Sequence, residues 1–241
     1  MPPASTLTPV RTVLLAGATG LVGREVLRLA LRDPGVQQVR VPLRREVDLI
    51  ALLQCEAADG TPLTAAEQGK LQPWRVDFDR LARHADGFAV DAVVCALGTT
   101  IRQAGSRAAF RKVDFEAPLQ IAQLAHAQGA SRFALVSALG ASARSRVFYN
   151  RVKGELEDAI ARVGFVQFTV AQPSLLEGDR SEHRFGEQLG LKLAGWFSAV
   201  VPSSHLPVHV RQVAQGLWEA AQSPTPAPRR VLGNADLRRM R

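Results

Sequence analysis

Short apolar runs alternate with amphipathic stretches over most of this chain. The first run, Val13 to Ala16, breaks at Gly17-Ala18-Thr19-Gly20-Leu21-Val22-Gly23, and apolar residues then recur at helical spacing from Leu21 to Leu31. An unbroken apolar run predicts a strand buried on both faces, and the 3.6-residue recurrence predicts a helix packed on it. The pattern repeats. Val36 to Leu43 predicts a second strand, Val47 to Cys55 a helix, Asp59-Gly60-Thr61-Pro62 a turn, and Trp74 to Phe78 a third strand. Asp79 to Phe88 is helix-like, and Asp91 to Leu97 is a fourth strand with no polar position inside it. From about Ser106 to Gly129 the apolar spacing predicts one long helix, kinked at Pro118 and closed by Gly129. Arg132 to Ser137 is a strand, about Arg146 to Val163 a helix closed by Gly164, and Val166 to Ala171 a strand broken by Pro173. Beyond it, 183–199 and 209–222 are helix-like, Leu206–Val208 and Arg230–Leu232 extended, and Pro224, Pro226 and Pro228 a stiff linker.

Strands alternating with helices through residue 171 imply a doubly wound, mostly parallel α/β sheet, the Rossmann arrangement. The reading is one domain over residues 10–241, after a flexible stretch at 1–9 and with a small C-terminal extension on the substrate side. The segments that choose a substrate fall mainly in 174–205. In such a sheet a ligand lies beyond the carboxyl ends of the strands.

Composition changes the picture little. Of 241 residues, 46% are hydrophobic and 22% charged, as in ordinary globular domains. A net charge of +8 invites a nucleic-acid reading. The arginines are interleaved with acids, as in Arg24-Glu25 and Arg45-Glu46, and no basic-aromatic repeat accompanies them, so the expectation is no specific nucleic acid. The two cysteines, Cys55 and Cys95, form no disulfide framework and suit a reducing cytoplasm. Residues 1–9 lack the order of a signal peptide, and no apolar run has the length of a membrane span.

Two constellations carry chemistry. In Gly17-x-x-Gly20-x-x-Gly23, glycines without Cβ atoms permit a tight turn, close approach of a ligand, and close packing of helix on strand, with helix N–H groups facing a pyrophosphate. A tight turn with no ligand is the alternative. Further on, Ser137 ends a strand, and Tyr149 and Lys153 lie four residues apart on one face of the next predicted helix. A phenol is a poor base at neutral pH, with an unperturbed pKa of about 10, and a nearby ammonium favours its ionised form. Lys153 therefore suits Tyr149 to acid/base work, and Ser137 would hydrogen-bond the substrate oxygen. Tyr149 is the one tyrosine in the chain. Asp114 reads as a charge on a helix face, with orientation of the loop above the site as the other possibility.

Together, Gly17-x-x-Gly20-x-x-Gly23, Ser137 and Tyr149-x-x-x-Lys153 resemble the short-chain dehydrogenase/reductase superfamily. The chain is most similar to an atypical branch, that of the Tat-interacting-protein oxidoreductase and bacterial NAD(P)-binding relatives. Val76-Asp77-Phe78, Cys95-Ala96-Leu97-Gly98-Thr99-Thr100, Lys112-Val113-Asp114, Val152-Lys153-Gly154-Glu155, Gln172-Pro173-Ser174-Leu175-Leu176 and Arg184-Phe185-Gly186-Glu187 support the likeness. The resemblance implies catalysis by Ser137, Tyr149 and Lys153. It implies cofactor contacts from Gly17, Ala18, Thr19, Gly20, Leu21, Val22 and Gly23, from Asp77 and Phe78, from Ala96, Leu97, Gly98 and Thr99, and from Lys153 and Pro173. Asp77 would take the adenine amino group, or cap the helix at 79–88. Gln172 departs from the family, which often has Arg before this Pro. Where NAD-binding relatives place a carboxylate after the second strand, this chain has Arg44-Arg45, which suits a 2′-phosphate and hence NADP(H) over NAD(H).

The expected function is an NADP(H)-dependent oxidoreductase acting on a carbonyl or alcohol of small size. A cofactor-binding regulator with little turnover is the alternative, and a sugar-nucleotide epimerase or dehydratase ranks below both. No metal is expected, and the chain is read as a monomer or homodimer, the helices bearing Pro118 and Tyr149 being the usual dimer face of the superfamily.

Overall fold

A computed structural model describes residues 9–54, 61–177, 206–224 and 227–240. Residues 1–8 of the expected flexible stretch at 1–9, Cys55, the first half of the turn Asp59-Gly60-Thr61-Pro62, the helix at 183–199, Arg184-Phe185-Gly186-Glu187, most of the substrate-side segment and Pro226 lie outside them.

Seven parallel strands form the sheet among the described residues. They are β1 (Thr12–Ala16), β2 (Gln38–Leu43), β3 (Leu71–Arg75), β4 (Ala92–Cys95), β5 (Arg132–Val136), β6 (Gln167–Ala171) and, after a short parallel pair β7 (Leu176–Glu177) and β8 (Val208–His209), β9 (Arg229–Leu232). Their order is β3-β2-β1-β4-β5-β6-β9. The chain winds outward from β1 to β3, returns to the other side of β1 at β4, and winds outward again. The switch point is the gap between the ends of β1 and β4, paired from Val13↔Ala92 to Ala16↔Cys95.

The apolar runs are explained by a helical layer on each face. Val13 and Leu15, with Ala92 and Val94, join one core cluster; Leu14 and Ala16, with Val93 and Cys95, join the other. The first cluster is covered by α1 (Leu21–Arg32) and α8 (Val210–Gln222), which pack on each other. The second is covered by a 3₁₀ turn at Leu81–Phe88, by α6 (Ala117–Ala127) and by α7 (Phe148–Ala161). Short helices α2 (Leu49–Gln54) and α3 (Ala65–Gly69) precede β3, α4 (Ile101–Ala104) and α5 (Arg107–Arg111) follow β4, and α9 (Asn234–Leu237) follows β9.

Three expectations are corrected. The third strand is Leu71–Arg75, three residues earlier than expected. Its apolar Trp74, Val76 and Phe78 pack on the 3₁₀ turn side, whereas the ladder is set by the register Leu43↔Arg75 with β2. As an edge strand it admits Pro73 and needs no apolar run. The stretch before Phe88 is 3₁₀ with a break at His84, not an α-helix. The long helix at 106–129 is α5, a π turn at Lys112–Glu116, and α6. Pro118 stands in the first turn of α6, where proline fits, so the deformation is the π turn ahead of it.

Candidate functional site

A cleft of about 1210 Å³ opens at the switch point. Its floor is the loop after β1, from Gly17 to Gly20, and the loop after β4, from Ala96 to Thr99. The three fingerprint glycines are required for different reasons. Gly17 has φ +88°, and a Cβ there would stand 2.5 Å from the Ala96 carbonyl oxygen. A Cβ at Gly23 would stand 2.0 Å from the Gly17 oxygen. The fold itself forbids both. At Gly20 a Cβ would meet only the Gly17 oxygen, at 3.4 Å, an ordinary contact. The fold tolerates a side chain at Gly20, so its absence leaves space in the cleft. Gly20 is also the N-cap of α1 and offers no side-chain cap, so the first N–H groups of the helix keep their capacity for an anion. Buried Arg24 ties this loop down by donating to the Thr19 carbonyl at 3.0 Å.

The cleft brings together most of the expected cofactor residues. Gly17, Ala18, Thr19, Gly20, Arg44, Asp77, Phe78, Ala96, Leu97, Gly98 and Thr99 line it. Leu21, Val22 and Gly23 do not; Val22 is in the core and Gly23 is packed on the loop. Arg45 is exposed off the cleft wall, and Pro173 is buried, with its carbonyl accepting from Leu139 N–H. Arg75 lines the cleft although nothing in the apolar pattern marked it. Asp77 Oδ1 accepts the Asp79 N–H at 3.0 Å, which is the turn-forming role.

Of the expected catalytic residues, none is on that wall, and their environments differ sharply. Lys153 comes nearest: its Nζ would be 3.7 Å from a Cβ at Gly98. It is buried and ion-paired at 2.7 Å with Asp114, itself fully buried. The other Asp114 oxygen accepts the Thr99 N–H at 2.8 Å. Asp114 is therefore no helix-face charge; the π turn directs it inward, where it joins the β4 loop to Lys153. Burial alone lowers a lysine pKa, but attraction to Asp114, then to Tyr149, and the hydrogen bond to Asp114 outweigh it and hold Lys153 above its ordinary value. Burial also pushes the Asp114 carboxyl up, against the pull of Lys153 and the Thr99 N–H. A carboxylate oxygen at 2.7 Å favours the ammonium, and Lys153 stays charged.

Tyr149 is half-buried one turn before Lys153, whose Nζ is 6.0 Å from the ring centroid. Phe110 braces the ring at 5.6 Å, leaving the hydroxyl with no hydrogen-bond partner among the described residues. Ser137 is buried and donates its hydroxyl proton to Glu157 in a short hydrogen bond. Glu157 also accepts from Gln172 at 2.9 Å and from Arg229 at 3.3 Å. Sequence reasoning passed over Glu157 and Arg229. The signal was present in Gln172: without an arginine there, the buried carboxylate takes its positive partner from β9. Glu157 lies two turns beyond Tyr149, about 12 Å along the helix axis.

A doubly wound parallel sheet with a glycine-lined cleft at its switch point defines a Rossmann-fold protein. No family model matches this chain. It is 30% identical over 186 residues to Protein FMP52, mitochondrial, of Candida albicans, covering 77% of this chain and 76% of that protein. It is 33% identical over 188 residues to Protein HTATIP2 of Rattus norvegicus, covering 77% and 71%. The chain belongs to the family of FMP52 and HTATIP2, the branch that its sequence resembles. A short-chain type dehydrogenase/reductase from Mycobacterium ulcerans shares the fold, with a TM-score of 0.64, 18% identity, and 94% of this chain and 90% of that one covered. The FMP52 relatives are named as mitochondrial proteins, which corrects the expectation of a cytoplasmic chain.

Proposed function

We propose that this protein is an NADP(H)-dependent oxidoreductase acting on a carbonyl or alcohol. The observation that carries the reading is the placement of Lys153: its ammonium is fixed by Asp114 against Gly98, on the floor of a cleft whose other loop is the glycine turn. The space at Gly20, the uncapped start of α1 and the guanidinium of Arg44 suit the diphosphate and phosphate groups of a dinucleotide. When bound, the nicotinamide supplies or takes the hydride.

The chain's own part is protonic. The Tyr149 hydroxyl, without a competing partner among the described residues, gives its proton to the substrate oxygen during reduction and takes one during oxidation. Lys153 holds positive charge one turn away, shared with Asp114. Ser137 has spent its one proton on Glu157, so toward a substrate it can only accept. That leaves Tyr149 as donor to a carbonyl oxygen.

The same commitment of Ser137 favours a second reading, a dinucleotide-binding regulator with little turnover. Tyr149→Phe separates the two. It keeps the ring packing on Phe110 and removes the proton. With a substrate from a carbonyl panel, the reductase reading expects NADPH oxidation to fall by about 10²–10⁴ while NADPH still binds. Turnover at the wild-type rate in the variant rejects Tyr149 as the acid. A panel without any turnover, with NADPH bound, favours the regulator.

A further inference from the structure

The geometry points to Arg75, on the edge strand β3, as a second guanidinium for a ribose 2′-phosphate, acting together with Arg44. The inference rests on the dinucleotide reading above and adds the residue that would set the choice between the two cofactors.

Arg44 follows the last residue of β2, and Arg75 is the last residue of β3. The register pairs Leu43 with Arg75, so Arg44 lies one residue past the partner of Arg75, and the two are diagonal neighbours about 6 Å apart at the ends of adjacent strands. Both line the cleft. Both side chains are exposed, and neither has a hydrogen-bond or ion-pair partner among the described residues. Three other cations near this end are engaged. Arg40 donates to the Asp86 and Gly87 carbonyls at 2.9 and 3.4 Å. Lys112 faces Asp79 at 3.6 Å and Arg80 faces Asp77 at 3.8 Å. Those two pairs also screen the carboxylates that would otherwise repel an anion here. Arg45, beside Arg44 in sequence, is off the wall.

Two guanidinium forks on one cleft, unpaired among the described residues, match a dianionic phosphate monoester. A nucleotide with only the diphosphate offers them no phosphate monoester and gains less. The pair thus rewards NADP(H) over NAD(H), with Arg75 supplying about half of the discrimination.

Calorimetric titration with NADPH and NADH tests this on the wild type and on R44A, R45A, R75A and R75K. The wild type is expected to bind NADPH more tightly. R75A is expected to lose about ten- to a hundredfold in NADPH affinity with NADH affinity unchanged, R75K to keep part of the preference as a point charge, and R45A to change either affinity by less than about threefold. Arg75 is exposed at the end of an edge strand, so unchanged thermal unfolding of R75A is expected and confirms that folding is not the cause. If the wild type prefers NADPH and R75A keeps that preference in full, the inference fails while the cofactor reading stands. If the wild type binds both alike, the NADP(H) preference fails and the inference with it.

Discussion

At Gly23 the missing Cβ serves the protein's own packing. A methyl group there would be driven into the Gly17 carbonyl, so Gly23→Ala is expected to cost at least about 1–3 kcal/mol, read from urea unfolding. Gly23→Ala as stable as wild type would show that α1 can move off the loop. Cys95 offers a second residue-scale check. Burial, the largest influence, pushes its thiol up to about 11. The thiol therefore stays protonated and inert at pH 8, and mass spectrometry after iodoacetamide treatment should find Cys95 unmodified in the folded protein and alkylated in urea. The Asp114–Lys153 pair carries a pH signature. Lys153 is raised in the folded state, so its contribution is fully present below the unfolded lysine value of about 10.4 and is lost as pH rises through the higher folded value. Asp114→Asn leaves a buried ammonium without a carboxylate and is expected to cost about 3–5 kcal/mol at pH 7. Without the carboxylate, burial lowers the variant's lysine below its ordinary value, so the deficit should shrink as pH rises toward and past about 10.4. A deficit that stays constant with pH would rule out the ion pair as its source.

At the scale of elements, the readable parts were those with one dominant cause. β1 and β4 are buried on both faces, so continuous apolar runs announced them. The helices α1 and α7 showed their buried stripes, and the positive φ of Gly129 and Gly164 matched the expected stops. β3 was misplaced because an edge strand is fixed by hydrogen bonds to β2, and no apolar spacing encodes them. The π turn was illegible for a related reason. An extra residue per turn at Lys112–Glu116 leaves the composition helical, yet it turns Asp114 from the outer face to the core. The candidate site divides the same way. The glycine loop, Arg44 and Lys153 followed from local pattern and likeness. Glu157, Arg229 and Arg75 did not, since their roles depend on which strand ends lie side by side.

At the scale of the molecule, the sheet order places the ends of β1 and β4 beside each other and leaves the cleft between them. The net charge of +8, read first as a surface property, acts in the same direction, raising the local concentration of anionic ligands near the cleft at low salt. Among the described residues no helix is long and apolar enough to cross a membrane. Whether the space at Gly20 belongs to a dinucleotide is read directly by titrating NADPH into wild type and Gly20→Val. Because a Cβ at Gly20 meets nothing closer than 3.4 Å, the variant is expected to show the wild-type circular dichroism spectrum. One NADPH is expected to bind per wild-type chain, with a loss of at least about a hundredfold in affinity in the variant, about 2.7 kcal/mol. Wild-type NADPH affinity in folded Gly20→Val would contradict the dinucleotide reading.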